Sequence, residues 1–236
     1  GMCGSFMAQT SDEICKRKGV TREETDEFAA MSHARTAASI DNGVWEQEIV
    51  SVNDVTFKDE DHVVRGSTAE SLAGLRTAFG PESLVTAGNA SGVVDGAAAV
   101  VIKSASKAEA DGDSPLARIV SWGIVGLEPA IMAYGPVPSS RLALKMAGLT
   151  IEDIDRWEIN EAFAAQSIAV IRELGLDINK VNINGGAIAL GHPLGCTGSK
   201  LTVQIINDLE RLNQKYGIVT ACVGGGQGIA GIIERL

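Results

Sequence analysis

With 236 residues, 45% of them apolar, 21% charged and 4% aromatic, the chain has the make-up of an ordinary soluble α/β protein of one large domain or two small ones. A net charge of −10 argues against a nucleic-acid partner, which selects a basic face, yet it permits an anionic small molecule held by a few local cations and backbone N–H groups. No apolar run approaches the ~18 residues of a membrane span, no secretory signal opens the sequence, and Glu234-Arg235-Leu236 is not a peroxisomal ending.

Gly1 before Met2 reads as a protease-cleavage remnant ahead of an initiator methionine. From Thr21 a helix is expected, opened by a Thr21/Glu24 capping box and stopped at Asn42-Gly43, with Phe28, Met31, Ala34, Ala38 and Ile40 on its apolar side. Alternation at Ile49, Val50, Val52 and Val55 predicts a strand over 48–55, followed by an acidic, solvated loop at Asp59-Glu60-Asp61. A short helix is expected over 68–76, and the continuous apolar run 97–102 reads as a buried strand.

Further along, strands are expected at 118–126, 156–159, 181–183 and 217–223, the last pairing with 229–233 across a glycine turn. Helices are expected at 139–147, 162–174 and 195–212. Strands alternate with helices, so the fold class is α/β, with helices layered on sheets.

Cys3, Cys15, Cys196 and Cys222 form no C-x-x-C pair, and His33, His62 and His192 have no metal-ligand spacing. Free thiols in a cytoplasmic protein are the expectation, with no metal and no resident cofactor.

Three glycine-punctuated stretches each place a polar, reactive group between secondary-structure elements. In Ile159-Asn160-Glu161-Ala162-Phe163-Ala164, Asn160 reads either as a helix cap or as a functional amide. In Asn184 to Ser199, NGGAIALGHPLGCTGS, His192 sits between Gly191 and Pro193; glycines permit close backbone approach and the prolyl peptide stiffens the loop, which favours chemistry over a merely structural imidazole. In CVGGGQG, Cys222 ends an apolar strand. A buried, inert thiol is the plainer reading. A dinucleotide loop is ruled down because a strand, not a helix, comes after the glycines.

With TAGNASG at 86–92 continuing through Asp95-Gly96-Ala97-Ala98, these motifs resemble, in order and over about residues 5–236, the thiolase family. The resemblance implies a layered αβαβα fold in which residues 1–85 belong to the loop domain, 86–115 return to the N-terminal half, and 116–236 form the C-terminal domain. Ketosynthases share the wider fold, but NEAFA and the second cysteine favour thiolase.

It implies acyl transfer between a cysteine and coenzyme A, with coenzyme A as substrate or product, and the making or breaking of a C–C bond. By that resemblance His192 activates the nucleophile and bonds the thioester oxygen, Asn160 holds a water completing that oxyanion site, and Cys222 moves the α-proton. The backbone N–H of Gly224 serves a second oxyanion site. Ser91, Ala87, Gly88 and Ser71 correspond to the coenzyme-A tunnel, and Met132 and Phe163 to the acyl end.

Two departures stand out. No cysteine here occupies the context of the family's nucleophile, and Ser5-Phe6-Met7-Ala8 replaces a Tyr-His-Met-Gly segment. The expectation is therefore a split thiolase, begun inside the loop domain and completed by a partner subunit that carries the nucleophilic cysteine, in a dimer of heterodimers or larger. Two alternatives are a non-catalytic acyl-CoA binder or scaffold and a self-sufficient hydrolase using Cys222 with His192.

Overall fold

The computed structural model describes residues 4–56 and 62–236. Cys3 and the expected acidic loop at 59–61 lie outside them. The helices are α1 (Met7–Lys18), α2 (Arg22–Asp41), α3 (Ala69–Ala73), α4 (Ala105–Asp111), α5 (Pro136–Ala147), α6 (Ala164–Leu174), α7 (Ala187–Leu190) and α8 (Thr197–Arg211). The strands are β1 (Ala117–Gly126), β2 (Arg156–Ile159), β3 (Tyr216–Val223) and β4 (Gln227–Arg235).

The strands form one sheet in the order β1-β4-β3-β2. β4 runs antiparallel to both neighbours, and β2 runs parallel to β3. The hairpin β3–β4 turns through the glycines at 224–226, where Gly225 and Gly226 take φ of +92° and +96° that other residues rarely adopt.

Each face of the sheet has its own core. On one side Val137, Ala143 and Leu144 of α5 and Val170 and Leu174 of α6 pack on Trp157, Ile159, Ile218 and Ile232. On the other, Ile205 and Leu209 of α8 pack on Ile233. A third cluster joins α1 and α2 to α6, through Ile14, Phe28, Ala165 and Ile168. Each Val, Leu, Ile or Phe side chain so withdrawn from water contributes about 1.5–3 kcal/mol before entropy is counted.

The capping box at Thr21/Glu24 forms as expected. The expected apolar side of α2 forms only in part: Phe28 and Ile40 are buried and Met31 packs against the core, but Ala34 and Ala38 face solvent, and Thr25, Ala29, Ser32, Thr36 and Ser39 are buried instead. Small hydroxylated residues are selected because the helix packs against backbone. Gly185, at φ +86°, approaches Thr36 and the carbonyl of Ser32 so closely that a Cβ would overlap them.

Two expected strands are absent. Residues 48–55 form turns with one isolated bridge between Val52 and Val55; Asn53 and Asp54 both take positive φ, which breaks the pleat. Residues 97–102 belong to no ladder among the described residues and lie exposed, Val101 at 91%. The run is apolar enough for a buried strand, but the described residues offer it no sheet.

The expected strand at 181–183 reduces to one bridge, Val181 to Trp157. The helix expected over 68–76 is shorter, and α1 and α4 were not anticipated.

The chain also leaves apolar surface open. Trp122 and Ile124 on β1 are 59% and 61% exposed on the face opposite α5. An open trough of about 890 Å³, lined in part by Val100, Ile102, Leu116, Ile119, Val203 and Ile206, separates the 97–103 segment from α8 and β1.

Candidate active site

The parallel pair β2/β3 sets the site. Ile159 stands opposite Thr220, and the N–H of Asn160 donates to Thr220 O at 2.9 Å. Asn160 therefore emerges where β2 ends, beside β3, and Cys222 lies two residues further along that strand. Both come to the same edge of the sheet.

The loop 184–196 brings His192 to this edge. Asn160 Nδ2 lies 3.3 Å from His192 Nε2, and the imidazole's Nδ1 lies 2.6 Å from Thr197 Oγ1 at the start of α8. Thr197 Oγ1 also donates to Pro193 O at 3.1 Å. A hydroxyl has one proton, so with that proton on Pro193 O the ring carries its own at Nδ1 and presents Nε2 as an acceptor.

Burial first, and the nearby Lys200 charge second, hold His192 below the ordinary imidazole range. The ring is thus neutral at pH 7 and able to take up a proton at Nε2. Asn160 is 1% exposed and its Oδ1 has no partner among the described residues. A buried amide oxygen left so is matched to a water or a ligand donor.

Cys222 is partly buried, and desolvation pushes its thiol up to about 11, opposed by its own backbone N–H. The expected role calls for a thiol tuned near neutrality; this one keeps its proton at pH 7. Gly224 is exposed at the tip of the hairpin, and the space its Cβ would fill is bounded by Met7 Sδ at 3.7 Å.

The 86–96 segment docks directly on these elements. Ser91 N and Oγ both donate to Ala162 O, at 3.1 and 3.2 Å, Ala90 forms a bridge with Phe163, and Ala164 N donates to Asn89 O. His192 N donates to Gly92 O at 2.9 Å, and a Cβ on Gly96 would meet Pro193 Cγ at 2.7 Å.

Gly88 rests on Leu72 and Leu75, next to Ser71 of α3, and Ala87 is exposed. Of the acyl-end candidates, Phe163 is partly exposed beside Asn160, while Met132 is fully buried in a 3-10 helix over 129–134. No three His, Cys, Asp or Glu residues gather to hold a metal among the described residues, and no described helix is long and apolar enough to cross a membrane.

Sequence reasoning missed Thr197, Glu161 and Met7. Thr197 lies five residues after His192 at a helix start, a spacing that leaves contact undetermined. Glu161 directly succeeds Asn160 and drew no role of its own from the sequence; it is 1% exposed.

A fold of helices on both faces of a mixed sheet, with Asn160 beside His192 where β2 ends and Cys222 near the end of the neighbouring strand before a glycine hairpin, matches known proteins closely. The thiolase C-terminal domain profile matches residues 113–235 and the thiolase N-terminal domain profile matches residues 2–106. The chain belongs to the thiolase family.

It is 49% identical to the acetyl-CoA acetyltransferase of Escherichia coli, over 99% of this chain and 61% of that protein. It is 47% identical to a 3-ketoacyl-CoA thiolase of Bacillus subtilis, over 97% of this chain and 62% of that one. Among solved structures, the acetyl-CoA acetyltransferase of Bacillus anthracis superimposes with a TM-score of 0.93 at 45% identity, covering 98% of this chain and 60% of that one. The human mitochondrial 3-ketoacyl-CoA thiolase in complex with CoA gives 0.90 at 41% identity, over 98% of this chain and 59% of that one. The chain therefore spans about 60% of the length of the relatives it matches.

Proposed function

We propose that this chain supplies the acid/base part of an acyl-CoA thiolase, an acetyl-CoA acetyltransferase type of acyltransferase, while the nucleophilic cysteine stands on a separate N-terminal-half subunit. The observation that carries the reading is the Asn160–His192 pair: a neutral imidazole whose Nε2 accepts from Asn160 Nδ2 at 3.3 Å, beside a buried amide oxygen that awaits a donor.

In this reading His192 Nε2 takes the proton of the incoming cysteine. The resulting N–H then donates to the thioester oxygen, together with a water held by Asn160 Oδ1. Cys222, protonated at neutral pH, returns a proton to the α-carbon of the departing acetyl-CoA in thiolysis. In synthesis its thiolate removes one, which requires the partner's half of the site to lower that thiol's pKa. The N–H of Gly224 supports the second oxyanion. Ser71, Ala87, Gly88 and Ser91 line the coenzyme-A tunnel, and Phe163 and Met132 lie near the acyl end. The domain limits at residues 85 and 115 belong to the same reading.

Two findings support the separate half. The exposed 97–102 run and the bare β1 face with Trp122 and Ile124 are apolar surface of the kind an obligate interface covers, and a dimer of heterodimers is the simplest assembly. The free thiols at Cys15, Cys196 and Cys222 fit a reducing cytoplasm.

The test is cleavage of acetoacetyl-CoA by this chain alone and co-expressed with a thiolase N-terminal half. Activity in the mixture alone supports the assignment. Activity of the isolated chain, abolished by Cys222→Ala, would instead favour a cysteine hydrolase. Coenzyme-A binding by an inactive complex would favour a binder.

A further inference from the structure

We infer that Glu161 is a positioning residue: its two carboxylate oxygens lock the Asn160–His192 pair to each other and to α2. Asn182 Nδ2 donates to Oε1 at 2.8 Å, while Ser32 Oγ and the backbone N–H of Ile188 donate to Oε2 at 2.6 and 3.2 Å. The proposal rests on the thiolase reading for its rate consequences, but its geometry stands on the contacts alone.

Three segments meet at this carboxylate. Asn160 is its chain neighbour. Ile188 belongs to α7, which ends one residue short of Gly191-His192, so a bond to Ile188 N–H fixes the short rigid stretch that delivers the imidazole. Ser32 lies on α2, and its hydroxyl also accepts from Gly186 N at 3.2 Å.

Asn182 is itself clamped to β2. It accepts from Ile159 N and donates to Ile159 O, both at 2.8 Å, and holds φ at +43°. Gly186 has no Cβ because one would overlap the Glu161 carboxyl.

Every one of these bonds uses an oxygen as acceptor, so an amide cannot replace the carboxylate. The NH₂ of a glutamine would face either Asn182 Nδ2, which cannot flip without losing Ile159, or the N–H of Ile188. The charged groups facing Glu161 are Arg35 and Glu158; Lys200 faces His192. Burial raises the Glu161 carboxyl, while its three donors and then Arg35 oppose that rise.

The experiment pairs two readouts on Glu161→Gln and Ser32→Ala. In the assembled enzyme, thiolysis of acetoacetyl-CoA should lose kcat by about 30-fold in E161Q and about 5-fold in S32A, with KM within about 2-fold. In the chain alone, the His192 ring followed by NMR should titrate at least ~0.5 pH unit closer to a free imidazole in E161Q.

An unchanged His192 titration in folded E161Q overturns the proposal whatever the rate does, and so does a KM effect with kcat intact. Should E161Q fail to fold, S32A decides by the same two readouts, with an unchanged kcat and titration counting against. Absence of thiolysis by the wild-type assembly would sink the functional reading, while the titration would still test the positioning role.

Discussion

Thr197 Oγ1 stands 2.6 Å from His192 Nδ1 and 3.1 Å from Pro193 O, so one hydroxyl at the first turn of α8 determines which nitrogen of the imidazole carries the proton. Thr197→Val preserves shape and removes the acceptor. We expect kcat for thiolysis by the assembled enzyme to fall by roughly 10-fold, about 1.4 kcal/mol. The His192 nitrogen signals should shift toward a mixture of tautomers. An unaltered tautomer in T197V would show that the loop, rather than the hydroxyl, orients the ring.

Cys222 holds its proton, pushed up to about 11 by burial. With the proposed N-terminal-half subunit present, Cys222→Ala should leave acylation of the nucleophilic cysteine intact while stopping exchange of the acetyl-CoA α-proton with solvent deuterium. Mass spectrometry of the acyl-enzyme and NMR of the recovered acetyl-CoA check the two halves separately. Exchange continuing at the wild-type rate would assign the α-proton to another group.

Glu48 is pushed up to about 7 from 4.5, chiefly by burial, with the Asp208 charge adding to the rise and the Asn207 hydrogen bond opposing it. The fully buried Glu158 is displaced in the same direction, with one carboxylate oxygen unpartnered. A raised carboxyl binds its proton more tightly in the folded chain. Its stabilising contribution is therefore complete below about pH 4.5 and is lost as pH climbs through 7. The displacement of Glu48 corresponds to about 3 kcal/mol across that window. Urea unfolding of Glu48→Gln should show a flatter decline between pH 5 and 8 than wild type; an identical slope would remove Glu48 from the account.

Of the three tryptophans, Trp45 and Trp157 are buried at 3% and 1%, while Trp122 is 59% exposed on β1. Association with an N-terminal thiolase half should shift the emission maximum to the blue by several nanometres, and Trp122→Phe should abolish most of that shift. An unchanged emission on a complex that forms would place the interface elsewhere.

The sequence alone was sufficient for some of the segments whose cause is local. The Thr21/Glu24 cap and the glycine hairpin between the strands β3 and β4 arise from residues within a few positions of one another. The motifs carrying Asn160, His192 and Cys222 stood out in the sequence through their resemblance to the thiolase family, because a motif is written consecutively in the chain.

Tertiary structure decided the rest. The 97–102 run has the composition of a buried strand but lies exposed, because burial depends on a sheet that the described residues do not supply. Alternation at 48–55 gave way to turns with Asn53 and Asp54 at positive φ. The bonds from His192 to Thr197, and from Ser32, Asn182 and Ile188 to Glu161, join groups up to 129 positions apart in the chain. Periodicity and propensity describe a residue's neighbours along the chain. Which buried carboxylate meets which donor is set only when separate elements close on one another and each polar group must find its partner out of water.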